Sequence, residues 1–89
     1  MDEEEAQALA QEELSRVEAA GYAVASEHID TVVLKEVHGA SGTGYEIEVS
    51  YQWRGGEHEE ILVICRVTSK EWFSHRHVEE SLHLRVPES

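Results

Sequence analysis

The 89-residue chain has a single cysteine, Cys65, and a single proline, Pro87. One cysteine excludes an intrachain disulfide and any zinc site built on a cysteine pair. Long apolar runs are missing as well. The longest, ILVIC, is five residues, whereas a membrane-spanning helix needs about 20. The opening stretch MDEEEAQALA is acidic where a secretory signal is basic, and no hydrophobic segment follows it. These absences lead us to expect a cytoplasmic protein. Basic residues are scarce: seven Lys and Arg stand against 19 acids, for a formal net charge of -12. Such a chain brings no counter-charge to a phosphate backbone or an anionic membrane, so direct binding to either is not expected. Aspartate is nearly absent too, limited to Asp2 and Asp30. A calcium loop, which clusters Asp and Asn at alternate positions, is therefore disfavoured.

The acid that is present is glutamate, which tolerates helices, whereas aspartate prefers caps and turns. The charge is thus expected on regular elements. It suits a basic partner: a nuclease, a nucleic-acid-binding subunit or another cationic protein surface. It also suits simple solubility. At this length one small domain is expected, burying about 60–65% of the surface its unfolded chain exposes.

Asp2 followed by Glu5 has the pattern of a capping box, with Glu3 and Glu4 at the positive end of the helix dipole. Ala6, Leu9, Ala10, Leu14 and Val17 then recur at helical spacing, and Gly21 supplies a stop, which predicts a helix over 3–20. Glu12 and Arg16 are spaced for an i,i+4 pair. Glu13 falls at the margin of the apolar stripe, where its stem is expected to pack while its head reaches water.

After Gly21 the period changes to two. HIDTVVLKEVHG reads as a strand with an apolar centre at Val32, Val33 and Leu34, and YAVA before it as the start of that strand or a short edge piece. GASGTG is a connection without the lysine or following helix of a phosphate loop. In YEIEVSYQW, Tyr45, Ile47, Val49, Tyr51 and Trp53 share one face. The strand after RGG, placed at 57–67, is apolar on both faces over its middle, as in a central strand. A three-residue loop, Arg54-Gly55-Gly56 with Gly56 left-handed, would pair Tyr45 with Cys65, Ile47 with Val63 and Val49 with Ile61. Leu62 and Ile64 then fall on the second face, beside Glu48 and Glu46.

WFSHRHVEESLHL, residues 72–84, holds three of the six histidines. Read as extended chain, it sets Trp72, Val78, Leu82 and Leu84 on one side and His75, His77, Glu79 and His83 on the other. His75 and His77, two apart on a strand, could provide two zinc ligands, but a zinc site needs three or four converging side chains and the pattern supplies only this pair. Ser74-His75 and Ser81-His83 are local neighbours, whereas hydrolase triads are assembled from distant segments. Cys65, inside an apolar strand, reads as packing. No catalytic residues and no cofactor are assigned, and the stretch reads as a strand with a polar outer face.

The element order predicts an α+β fold: one N-terminal helix packed across a curved antiparallel sheet of about four strands, α-β-β-β-β. In element order this is similar to cystatin-like folds, an analogy that carries no function. The expected function is a non-enzymatic protein-binding module, an acidic inhibitor, immunity-type or accessory protein that engages a basic partner through Glu46, Glu48, Leu62 and Ile64. The alternative is a small-ligand or zinc protein using a helix–sheet pocket or the His75/His77 pair. One helix covers one sheet face, so the opposite face is expected to form a partner interface or a symmetric homodimer.

Overall fold

A computed structural model of the chain describes residues 3–55, 59–70 and 77–86. It contains α1 (Glu3–Ala20), α2 (Tyr22–Ser26), β1 (Val32–His38), β2 (Gly44–Arg54), β3 (Glu60–Ser69) and β4 (His77–Arg85). The strands form one antiparallel sheet in the order β1-β2-β3-β4. The architecture is α+β, with α-β-β-β-β as its main order.

Helix α1 has the predicted bounds. Ala6 and Ala10 are fully buried, and Leu14 and Val17 nearly so. The two alanines present no side chain beyond Cβ, so the helix axis can approach the sheet closely. It packs on β3 and β4. The N–H of Gly21 bonds the carbonyl of Val17 at 3.1 Å, and Gly21 adopts φ 92°, a region that favours glycine. YAVA, expected to be extended, is instead the start of α2. This helix of five residues is too short to show a helical period in its sequence. Its Tyr22 ring lies 6.3 Å from the ring of Trp53, and Ala25 is buried in the core.

The core face of the sheet carries Tyr45, Ile47 and Val49 of β2, Ile61, Val63, Cys65 and Val67 of β3, and Leu84 of β4. These are the residues the alternation assigns to it. The pairing of β2 with β3, however, differs from the expectation. Tyr45 faces Ser69, Ile47 faces Val67, Val49 faces Cys65, Tyr51 faces Val63 and Trp53 faces Ile61. The loop therefore runs from Gly55 to Glu59, and Gly55, at φ 87°, is left-handed; Gly56 lies outside the described residues. The physical reason is continuity of the core ladder. The expected register would have set Tyr51 and Trp53 opposite glutamates, whereas the observed one gives both an aliphatic partner. Because the shift is even, every side chain keeps its face.

The short hairpin lies one connection earlier. The N–H of Gly39 bonds the carbonyl of Thr43, and that of Gly42 bonds the carbonyl of Gly39, both at 2.9 Å. This closes a three-residue loop, Ala40-Ser41-Gly42, with Gly42 at φ 89°. Gly39 has a second constraint, because a Cβ there would collide with the carboxylate of Glu5.

β2 and β3 are the inner strands, the latter as its two-sided apolar pattern predicted. β1 is an edge strand, and α1 does not cover it. Val32, Val33 and Leu34 are 55%, 36% and 60% exposed.

Candidate functional site

The outer sheet face, turned away from α1, bears all four residues expected to bind a partner. Leu62 lies between Gln52 and His83, and Ile64 between Ser50 and Ser81. Both are half-buried. Glu48 stands between Leu34 and Arg66, diagonal to Ile64, while Glu46 stands between Glu36 and Thr68. Leu62 and Ile64 thus form one small aliphatic pair. Ser50 and Glu48 separate them from Val32 and Leu34 on β1.

The charges on this face are partly paired. Arg66 lies 3.9 Å from Glu48 and 3.3 Å from Glu79. Lys70 bonds Glu36 at 2.5 Å and holds that carboxyl below its ordinary range. His83 approaches Glu60 at 2.8 Å and Arg54 at 3.0 Å. Such exposed pairs contribute little to stability, but they fix side-chain directions. Glu46 is exposed.

Of the histidine pair, His75, like Ser74 and Trp72, lies outside the described residues. His77 is exposed on the outer face opposite Thr68. Among the described residues no three His, Cys, Asp or Glu side chains converge as a metal site. Cys65 is fully buried, and burial, with Glu13 and Glu80 adding, pushes its thiol up to about 11, against a smaller opposing effect of Lys35. At neutral pH it is a thiol, not a nucleophilic thiolate.

The core side of the sheet holds a feature that the sequence reading placed differently. Glu13, expected to reach water, is buried. Its carboxylate accepts from Lys35 of β1 at 2.7 Å and from Arg16 at 2.9 Å. Arg16 also makes the predicted contact with Glu12, at 2.6 Å. Lys35 is an inward-pointing charge on a strand that the helix does not cover, so its amine can reach across to α1. The desolvated carboxylate is held by two cations from different elements. A pattern of helical spacing cannot supply a partner 22 residues away.

Beside this ion pair, an open cleft of about 180 Å³ is lined by Glu13, Arg16, Val17, Val24, His28 and Tyr51 among others. The His28 and Tyr51 rings are 5.2 Å apart. Burial, reinforced by the Glu13 charge, raises the Tyr51 phenol above its ordinary value, so its O–H is retained as a donor at neutral pH. The other end of α1 is tied to the β1–β2 loop. The Ser41 hydroxyl and the Tyr45 phenol each donate to Glu5 at 2.7 Å, and the Ser41 N–H at 3.1 Å. These bonds, that of the Ser41 hydroxyl first, lower the Glu5 carboxyl. Asp2, its expected capping-box partner, lies outside the described residues.

No family model, curated protein or solved structure matches the chain. Among the described residues no helix is long and apolar enough to cross a membrane.

Proposed function

We propose that the protein is a non-enzymatic binding module that docks a basic protein surface in the cytoplasm, in the manner of a small inhibitor or accessory subunit. The observation that carries the reading is the outer face, which no described element covers. There Leu62 and Ile64 supply an apolar centre, and Glu46 and Glu48 lie toward one margin. The excess of acid over base across the whole chain adds a long-range attraction for a cationic partner. An aliphatic centre with charged margins is the usual anatomy of a transient interface.

The test is capture from native lysate at low and high salt, with wild type and with the double variant Glu46→Lys/Glu48→Lys. A basic partner should be retained by wild type at low salt, released at high salt, and lost by the double variant. Recovery of no partner, or of one indifferent to both salt and variant, would count against this function.

The cleft between α1, α2 and β2 supports a second reading, a small-ligand site in which apolar Val17 and Val24 face the Tyr51 and His28 rings. Fragment titration followed by NMR tests it, and unchanged Val17, Val24 and Tyr51 resonances would dismiss it.

A further inference from the structure

The three exposed aliphatics of β1 lie on an edge strand whose free backbone groups can be identified. Gly39 donates to Thr43, and the β1–β2 register places these two residues directly beyond the His38/Gly44 pair. Gly39/Thr43 is therefore a hydrogen-bonded pair. Such pairs alternate along an antiparallel ladder, so Val37, Lys35 and Val33 also turn their N–H and C=O toward β2. Val32, Leu34 and Glu36 turn theirs away from the sheet, along an edge that no described strand pairs with.

The two edges of the sheet differ. On β4 the outer-face residues are His77, Glu79, Ser81, His83 and Arg85, and Glu80 points inward, where Gln7 of α1 donates to it at 2.8 Å. A polar edge with an inward charge, packed by a helix, is protected against strand addition. β1 also has an inward charge, Lys35, but the amine is drawn to Glu13 under the sheet and away from the edge. Its edge-directed residues are Val32 and Leu34, with Glu36 held by Lys70.

We propose that a second copy of this chain pairs with β1, edge to edge and antiparallel, giving one continuous sheet across a two-fold axis. The symmetry restricts the register. With the axis normal to the sheet, each residue must oppose one from the same face, so the axis passes through a residue facing its own copy. Lys35 or Glu36 at the axis sets like charges against each other. Val33 at the axis carries Glu36 past the end of the strand to Asp30, which has turned at φ 63° and gives its N–H to Tyr51, so the edge-directed groups of Glu36 go unpaired. Leu34 at the axis avoids all of these conflicts. It places Leu34 on Leu34, Val32 on Glu36 and Val33 on Lys35, all within β1. In that register Leu34 exchanges both backbone bonds with its copy, and Val32 exchanges both with Glu36, so the edge-directed groups identified above are satisfied together. This self-complementarity favours a second copy over an unrelated strand. Self-association thereby belongs to the edge, leaving the outer face free for the basic partner.

Two chains of net charge -12 repel, so the dimer should tighten as salt screens them, opposite to basic-partner binding. The experiment uses the purified full chain alone, in sedimentation velocity from micromolar to millimolar concentration at low and high salt. Wild type should dimerise, more tightly at high salt. Leu34→Pro removes an edge-directed N–H without touching the bonds to β2, and should weaken the dimer at least about tenfold. Leu34→Lys, which sets like charges at the axis, should do the same, and it decides the matter if circular dichroism shows that the proline variant does not fold. Leu62→Glu should change the constant by less than about twofold. Amide exchange at Val32, Leu34 and Glu36 should slow as wild type is concentrated. A wild type monomeric at every concentration and salt overturns the proposal. So does a dimer sensitive to Leu62→Glu and indifferent to both Leu34 variants.

Discussion

Replacing Lys35 with methionine tests the contact that ties the uncovered strand to the helix. The substitution keeps the aliphatic stem and removes the amine that lies 2.7 Å from Glu13. At an effective dielectric of about 20, that separation corresponds to a gross attraction of about 6 kcal/mol. Most of it offsets the desolvation of Glu13, whose side chain is 9% exposed, and the ordering of a lysine that is itself 39% exposed. Arg16 remains at 2.9 Å in the variant and holds part of the charge. The net loss should be about 1–2 kcal/mol, below the 3–5 kcal/mol typical of an uncompensated buried charge. For a domain of this size that lowers the melting temperature by roughly 4–16 °C. Urea denaturation of wild type, Lys35→Met, Glu13→Gln and the double variant completes a mutant cycle. The coupling should be about 1 kcal/mol, with the double variant less destabilised than the sum of the two. Additive effects, or a Lys35→Met protein as stable as wild type, would show that the contact does not hold β1 to α1.

Two further outcomes follow from the titrating groups. The Glu5 carboxyl is lowered from an ordinary value of 4.5 by the Ser41 and Tyr45 bonds. Its contribution is therefore complete above that value and is lost as pH falls through the lower folded value. Melting curves of wild type and Glu5→Gln should be separated at neutral pH and converge in acid; a gap that widens on acidification would refute the assignment. The Cys65 thiol, buried and raised to about 11, should react with an alkylating reagent at pH 8 only through opening of the sheet, at a rate that rises with urea. Immediate stoichiometric labelling in native buffer would show that it is not in the core.

The parts of the fold that were legible in the sequence are those fixed by period. Helix α1 was bounded by its alanine and leucine spacing and by Gly21. The faces of β2, β3 and β4 followed from alternation, and a register shift of even length leaves faces unchanged. What depended on partners distant in sequence was not legible. Keeping charge off the core face opposite Tyr45, Ile47 and Val49 pointed to a three-residue loop at Arg54-Gly55-Gly56, but the need to pair Tyr51 and Trp53 with aliphatics prevailed. VVL in β1 reads the same whether the strand is interior or at an edge, since an apolar pattern records what could be buried and not what covers it. Of the candidate interface, Leu62 and Ile64 were legible as a pair on the second face. Their separation from Val32 and Leu34 by Ser50 and Glu48 needed the strand order. Glu13 could be placed on the stripe margin but not joined to Lys35.

The connectivity also sets an order in time for a chain made from its N-terminus. Each strand finds its ladder partner in the next segment of chain, so the sheet can grow as it is synthesised. Helix α1 is the exception: it emerges before all four strands, yet packs on β3, which begins at Glu60, and on β4, which begins at His77. Until the last strand has left the ribosome, the alanine stripe has only part of its cover. The element whose sequence is most plainly helical is thus the one whose burial is completed last.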